Sequence, residues 1–368
     1  MKKLLLTIVV LVTIVLCAEA QDPTFSQFYA NRLYLNPGYA GAKEGLTLST
    51  AYRRQWNYVP GGFNTYAVSA DIQEPFINST FGFLASKDVE GEGLLTTTNV
   101  GLVYGYLIKV NKNAIIQAGI KTSFGQRAVD WSKFTFTDQL DPVLGIVRPT
   151  TAAPIIQSKQ YADFDAGIVA RFGGKLRGGR AINSNIGFAV HHLTTPDASM
   201  QEIESPLPRR FTFHAGTMIE VVSFNYSQKR ILYLSPNFKF DYQNGIKVVS
   251  YGVYSISRPM YVGIFYQNKQ GLIDFQNTNS VILTGGFEGD LNRDTEFTMG
   301  YSYDLSTTGL GVRTYGTHEV TLALTFKNAS MFGLPRRGRA GKGAFGRRSR
   351  RNNGGCYQFK GTDAVNIF

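Results

Sequence analysis

Residues 114–124 of the chain read AIIQAGIKTSF, a stretch in which apolar and polar side chains alternate. In an extended strand these side chains would form two faces. The apolar face would consist of Ala114, Ile116, Ala118, Ile120 and Phe124, and the polar face of Gln117, Lys121 and Ser123. A period of two residues is typical of a β-strand at a boundary between two environments. The same alternation recurs in 161–172, 210–221 and 319–327, and no comparable stretch has apolar residues at helical spacing. The sequence therefore predicts an all-β fold.

The alternation, with the turn-forming residues between its repeats, predicts about fourteen strands. They lie near 45–55, 63–73, 79–87, 95–110, 113–126, 160–172, 183–192, 209–222, 230–242, 245–257, 259–268, 279–288, 294–304 and 317–327. Most are longer than the five or six residues usual in soluble sheets. They match the roughly 9–11 residues that a tilted strand needs to cross a bilayer. We therefore predict a transmembrane antiparallel β-barrel of the outer membrane, with a large soluble sandwich or propeller as the alternative.

The connections between these strands alternate mostly between short and long, as in outer-membrane barrels, where short turns face the periplasm. This pattern places both termini of the protein in the periplasm. Two connections fit poorly. Gln243-Asn244-Gly245 is typical of a tight type I′ turn at a position where an outer loop is expected. The connection 173–182 is long for a periplasmic turn.

The two ends of the chain differ from this body in composition. Lys2, Lys3 and the apolar run Leu4–Leu16 predict a secretory signal peptide over residues 1–20. The formal net charge is +12, and +8 of it belongs to 328–368, which we expect to be a disordered basic tail in the periplasm. The predicted units are therefore the signal peptide, an N-terminal periplasmic or lumen segment over 21–44, the barrel over 45–327 and the tail.

The sequence offers little that predicts catalysis, a metal or a cofactor. His191 and His192 should point to opposite faces of a regular strand, and therefore should not bind one ion together. Asp163 and Asp165 share a strand face, which leaves a carboxylate-dependent cell-wall enzyme as a remote alternative. The string GKGAFG at 341–346 has neither a preceding strand nor a following helix, so we reject it as a nucleotide-binding motif. We expect the protein to have no enzymatic activity and to bind no cofactor and no metal.

Two motifs follow the predicted signal peptide: FSQFYANRLYLNPGYAG at 25–41 and YRRQW at 52–56. These resemble the PorP/SprF family of outer-membrane proteins of Bacteroidota, which is associated with type IX secretion and gliding motility. Gly38 stands where Ala is usual in that family. Residues 22–44 are too apolar to hang free in water, and we expect them to dock in the periplasmic mouth or the lumen. An added edge strand is the alternative.

The resemblance implies a non-catalytic barrel that supports export or surface anchoring of a large protein with a C-terminal sorting domain. Loops 127–159, 193–208 and 305–316 would then contact this cargo. The implied periplasmic partners are translocon, lipoprotein and ring components. For the tail we favour a partner protein or the cell-wall layer over anionic lipid or plain solvent, and we expect no nucleic acid. A transport channel, either a porin or a fatty-acid-type transporter, is the alternative function.

Candidate partner-binding residues lie in the two motifs and in the basic tail. They are Phe25, Gln27, Tyr29, Asn36, Pro37, Tyr39, Gly41, Arg53 and Trp56, together with Arg336, Arg337, Arg339, Arg347, Arg348, Arg350 and Arg351.

Overall fold

The computed structural model describes residues 22–57, 61–91, 95–141, 143–151, 158–200, 205–224, 230–269, 279–307 and 316–332. Fourteen long strands dominate it. They are β1 (Leu46–Gln55), β2 (Phe63–Glu74), β3 (Ser79–Glu90), β4 (Leu95–Lys109), β5 (Ala114–Val129), β6 (Ser158–Lys175), β7 (Ala181–His191), β8 (Arg210–Phe224), β9 (Arg230–Gln243), β10 (Ile246–Ser257), β11 (Met260–Lys269), β12 (Asn279–Asp290), β13 (Thr295–Ser306) and β14 (Thr317–Phe326).

The fourteen strands form one closed antiparallel barrel. Each strand pairs with its neighbours in the sequence, and β1 closes the ring by pairing with β14. At this seam Leu46 faces Phe326, and Arg53 faces Glu319. Closure pairs the backbone groups of both edges, which is required of a sheet surrounded by lipid. The predicted fourteen-strand antiparallel barrel is confirmed.

The barrel is apolar outside and polar inside. On β5, Ile120 and Phe124 are 58% and 52% exposed, whereas Gln117 and Ser123 on the opposite face are buried. A soluble sheet would bury the apolar face instead, so this distribution identifies a lipid-facing exterior and a polar interior. Within the described part of the chain, no helix has the length and apolar character needed to cross a membrane.

Two of the predicted connections can be compared directly with the structure. The connection expected at 173–182 is wrong in length: β6 and β7 extend towards each other and leave only 176–180 between them. Gly173 and Gly174 stay in the strand, and the turn uses the positive φ angles of Gly178 and Gly179. The tight turn at Asn244 and Gly245 is confirmed, with φ angles of 47° and 83°. The outer loop expected there does not exist.

Short connections mark one end of the barrel as periplasmic. At this end lie residues 44 and 327 and the brief connections 75–78, 110–113, 176–180, 258–259 and 291–294. The opposite end has the long loops after β5 and β7, and we treat it as extracellular.

The remaining elements are small. Residues 22–44 contain one helical turn, α1 (Arg32–Leu35), and a 3₁₀ turn at Pro37–Tyr39. The loop after β5 contains 3₁₀ turns at Trp131–Lys133 and Thr137–Gln139 and a small hairpin that pairs Leu140–Asp141 with Gly145–Ile146. The predicted signal peptide and the tail residues 333–368 lie outside the described residues.

Candidate functional site

The interior of the barrel is occupied by residues 22–44, which we call the lumen segment. Its backbone and side chains contact strands all around the ring: Ser26 reaches Glu319 on β14, Gly41 reaches Asp71 on β2, and Tyr39 reaches β7. A segment can contact strands on opposite sides of a closed ring only from within it. The lumen segment therefore lies inside the barrel, as its apolar composition predicts.

The largest buried apolar cluster among the described residues forms where the lumen segment meets the wall. Phe28 packs edge-on against Phe265 of β11, with 5.9 Å between the ring centroids. Tyr29, Leu35 and Tyr39 belong to the same buried cluster. The hydrophobic core of this protein is thus inside the lumen, where apolar side chains of the segment are removed from water.

A turn at Asn36 fixes the middle of the lumen segment. The Asn36 side chain is fully buried, and its Oδ1 atom accepts a hydrogen bond from the Gly38 amide at 2.8 Å. Its Nδ2 atom donates to the backbone oxygens of Ile168 and Phe188, both at 3.2 Å. Asn36 thereby joins its own turn to β6 and β7, and the wall leaves room for it because Gly167 lacks a Cβ atom that would overlap Oδ1.

A buried charge network joins the first motif to the second. The Glu319 carboxylate accepts hydrogen bonds from the Ser26 amide at 2.7 Å and from the Gln27 amide at 3.0 Å. Arg53, in the YRRQW motif on β1, lies 3.4 Å from Glu319 and 3.2 Å from Asp304. The FSQ and YRRQW sequences therefore meet at the seam between β1 and β14.

At the periplasmic end, ion pairs and backbone contacts hold the last residues of the lumen segment. Lys43 Nζ lies 3.0 Å from Glu296, and Arg171 donates to the backbone oxygen of Ala42 at 2.8 Å. The amide of Gly41 donates to Asp71 at 2.8 Å. From here the chain continues directly into β1.

At the extracellular end, Asp22 sits in a group of charged side chains that we call the mouth cluster: Asp22, Asp163, Asp165, His192 and Arg210. The Asp22 carboxylate lies 2.8 Å from His192 Nε2 and 3.0 Å from Arg210. Because β8 begins at Arg210 on the extracellular side, the lumen segment runs the length of the barrel. The expectation that the N-terminal end faces the periplasm is therefore wrong for Asp22.

The mouth cluster depends on an unusual backbone conformation at His192. Its φ angle is 57°, so the chain leaves regular β geometry directly after β7. As a result both histidines contact interior carboxylates: His191 lies 3.2 Å from Asp165, and His192 lies 2.6 Å from Asp163. The expectation that the two histidines point to opposite faces is wrong, because it assumed a regular strand.

Asp163, Asp165 and His192 are the one group in the described chain whose ligand atoms lie close enough for a metal ion, within 4.8 Å of one another. Burial alone would lower the pKa of His192, but the carboxylates of Asp22 and Asp163 raise it to about 10. At neutral pH the imidazole is then protonated on both nitrogens and has no lone pair for a metal. Asp165 is paired with Lys121 as well as His191, so the cluster is organised as an ion-pair network.

Most of the predicted site residues in the two motifs come together in the lumen. Buried there are Phe25, Gln27, Tyr29, Asn36, Pro37, Tyr39, Gly41 and Arg53. Trp56 lies at the extracellular end of β1, where it is 39% exposed and packs against Phe63. The seven tail arginines lie outside the described residues. The buried motif residues face the protein's own wall, and their binding to a partner stays a prediction.

Sequence reasoning missed the wall residues that receive the lumen segment. Glu319, Asp304, His214 and Asn185 all contact it, and none was predicted to do so. The available signal was the position of Glu319 on the polar face of a predicted strand. A carboxylate buried inside the barrel needs a hydrogen-bond donor or a cation as a partner. For Glu319 the backbone amides of Ser26 and Gln27 are such donors.

Solved structures of outer-membrane proteins resemble this chain at low identity. A FadL homologue of Pseudomonas aeruginosa is 12% identical, with 79% of this chain and 92% of that chain covered and a TM-score of 0.37. CdiB from Acinetobacter baumannii is 8% identical, with 77% of this chain and 60% of that chain covered and a TM-score of 0.43. BamA from Haemophilus ducreyi lacking POTRA domains 1–3 is 9% identical, with 77% of this chain and 71% of that chain covered and a TM-score of 0.36.

Comparison with protein families gives one match. The model described as type IX secretion system membrane protein PorP/SprF matches residues 17–324, which include the lumen segment and nearly all of the barrel. No curated protein sequence matches the chain.

Proposed function

Since the chain belongs to the PorP/SprF family of type IX secretion system membrane proteins, we propose that it is a closed scaffold rather than a channel. The resemblance seen in the two motifs is confirmed, and the protein is an outer-membrane barrel of the type IX secretion system. In the proposed role it has no catalytic activity. It supports the export or surface anchoring of a large protein with a C-terminal sorting domain, and links that protein to periplasmic components.

The observation that supports this proposal is the occupied lumen. The segment is held from the mouth cluster, through Asn36, to Lys43 at the periplasmic end. Contacts along its whole length would have to break before a solute could pass. In the proposed scaffold role, the filled lumen makes the barrel rigid, so that its extracellular and periplasmic surfaces keep a fixed relative position.

The extracellular surface of the scaffold includes a braced apolar loop after β5. Asp138 accepts hydrogen bonds from Thr150 at 2.9 Å and from the Thr151 amide at 2.6 Å, which closes the base of the loop. At its tip Val143 and Leu144 are 89% and 76% exposed. Large aliphatic side chains exposed side by side are typical of a protein-binding surface. We propose that this tip contacts the exported protein.

The periplasmic surface is the proposed contact with translocon, lipoprotein and ring components. It consists of the short turns and the basic tail, which carries nine basic residues against one acid. The motif residues in the lumen have a different proposed role, since they hold the segment in place. They would reach a partner only if the segment left the barrel.

Co-purification tests the proposed function. The tagged protein would be isolated gently from its native outer membrane, and bound proteins would be identified by mass spectrometry. We expect a large protein with a C-terminal sorting domain, and its loss when Val143 and Leu144 are both replaced by Ser. A matched control replaces Val262 and Ile264 on the lipid-facing side of β11 by Ala, which should leave the partner bound. Recovery of the barrel without such a protein would count against the proposal.

A further inference from the structure

The outside of the barrel is basic near its extracellular end. Arg53 contacts Glu319 in the lumen, so its neighbour Arg54 points outwards. Lys87 on β3 points outwards as well, because its register partner Tyr66 is exposed on the lipid-facing side. In the strands that the structure describes, the charged side chains that point outwards at this end are Arg54, Lys87 and Lys247. The outer wall is therefore positively charged at the level of the outer leaflet.

Arg54 and Lys87 differ from the bases inside the barrel in having no protein partner. Both side chains are exposed, and no carboxylate among the described residues forms an ion pair with either. The interior base Arg53 is paired with Asp304 and Glu319. A base on the lipid-facing side of a barrel is costly unless an anion neutralises it. At this position the surrounding membrane is the nearest source of anions.

Aromatic side chains place the two bases at the level of the lipid headgroups. Successive register pairs put Tyr301, Tyr52 and Tyr66 in one row with Lys87, and Arg54 lies one step closer to the extracellular end. The Tyr52 and Tyr66 rings are 5.0 Å apart. Outward aromatic side chains near strand ends are typical of the boundary between hydrocarbon and headgroups. The two bases therefore lie where lipid phosphates are found.

The two bases are also close enough to contact one headgroup together. Arg54 and Lys87 are two strands and two residues apart, which corresponds to about 12 Å between their Cα atoms. A guanidinium binds phosphate through two parallel hydrogen bonds, and an ammonium binds it as a point charge. Tyr52 and Tyr66 lie between the two bases in the register and present an apolar surface to the acyl chains.

We propose that Arg54 and Lys87, with the Tyr52 and Tyr66 rings between them, bind the phosphate groups of a lipid headgroup in the outer leaflet. The outer leaflet of an outer membrane is rich in lipopolysaccharide, whose lipid A headgroup carries phosphates. Charge complementarity selects this occupant, because the site combines two bases without a protein partner and a surface that faces lipid. The site goes beyond the proposed scaffold function and does not depend on it.

Native mass spectrometry of the full chain in detergent micelles tests the proposal. The protein would be titrated with bisphosphorylated lipid A, or with the same lipid A after removal of both phosphates. We expect the bisphosphorylated lipid to bind roughly thirtyfold more tightly, which is the combined attraction of two basic residues for anionic lipid. Inorganic phosphate at the same concentration should not displace it, since it lacks the acyl chains.

Two double variants assign this preference to the proposed residues, once each shows the heat-dependent gel mobility of a folded barrel. R54Q/K87Q should bind both lipids with the same low affinity. The matched control K175Q/R177Q removes an exposed lysine and an exposed arginine at the periplasmic end of β6, and should bind like the parent. Equal affinity of the parent for the two lipids would overturn the proposal, as would an equal loss in the control. Displacement by inorganic phosphate would also overturn it, since the site would then take free phosphate.

Discussion

The Glu319 carboxylate lies 2.7 Å from the backbone nitrogen of Ser26, although 293 positions separate the two residues. Glu319 belongs to β14, the strand that closes the barrel, and its register partner on β1 is Arg53. The lumen segment therefore docks on the seam of the ring. Closure of the barrel and docking of the segment share the same buried charges, so we infer that each stabilises the other.

Substitution of Glu319 by Gln tests this coupling. The variant keeps the size of the side chain but removes the charge that two amides and Arg53 share. We expect the free energy of unfolding in liposomes to fall by about 2 kcal/mol, the order of a hydrogen bond to a charged group. The control is E44Q, at a half-buried acid near the periplasmic end, which should change the free energy of unfolding little. Equal stability of E319Q and the parent would contradict a structural role for the network.

Substitution of Arg53 by Gln should lower the free energy of unfolding more than the substitution of Glu319 does. It leaves the buried carboxylates of Asp304 and Glu319 without their cation, a loss of about 3–5 kcal/mol for a broken buried pair. The double variant R53Q/E319Q should then be more stable than R53Q alone, because one of the two uncompensated charges is gone. Simple addition of the two losses in urea titrations would show that the residues act independently.

Two glycines of β6 allow a test of the fit between wall and segment. A Cβ atom on Gly167 would overlap Asn36 Oδ1, whereas one on Gly174 would meet only Ile182, at 3.7 Å. We expect G167A to cost about 1–3 kcal/mol through overpacking, and to expose the lumen segment to protease. G174A should behave like the parent protein. Similar protease patterns for the two variants would contradict the described contact.

The strands were predictable because their cause is local. Alternation across the wall repeats within each strand, so the positions of β5 or β14 follow from a few neighbouring residues. The burial of the lumen segment followed from its apolar side chains. The error at 173–182 has a local cause too: Gly173 and Gly174 were taken as loop residues, yet both remain paired with β7.

The contacts of the lumen segment were not predictable, because they join residues far apart in the sequence. Nothing near Ser26 indicates that Glu319 will accept its amide hydrogen. The mouth cluster depends on one positive φ angle at His192, a conformation that is uncommon for residues other than glycine. The direction of the segment, with Asp22 at the extracellular end, follows from these contacts and from no periodic pattern.

Cysteine labelling of intact cells tests the direction of the lumen segment. In a C356S background, T24C should react with a membrane-impermeant thiol reagent, since Thr24 is half-buried near the extracellular mouth. A42C, half-buried near the periplasmic end, should react only after the outer membrane is permeabilised. The reverse order would show that the segment enters from the other side.

The mouth cluster makes a prediction about pH. Association of Asp22 and His192 raises the pKa of His192 to about 10 and lowers that of Asp22. The contribution of His192 is complete below its ordinary value near 6.5 and is lost as pH rises through about 10. That of Asp22 is present above its ordinary value near 3.9 and is lost only at lower pH. Labelling of T24C, corrected for thiol ionisation with a free thiol standard, should be constant from pH 5 to about 6.5, increase from there towards pH 10 and level off above it. A corrected rate that stays constant from pH 5 to 10 would contradict the cluster.

Electrical recording in planar bilayers tests the central claim, which is that the lumen segment closes the barrel. The intact protein and a variant lacking residues 22–41 would be compared after both show the heat-dependent gel mobility of a folded barrel. We predict no steady ion conductance for the intact protein and a stable open channel for the deletion variant. An intact protein that conducts as well as the deletion variant would contradict the account.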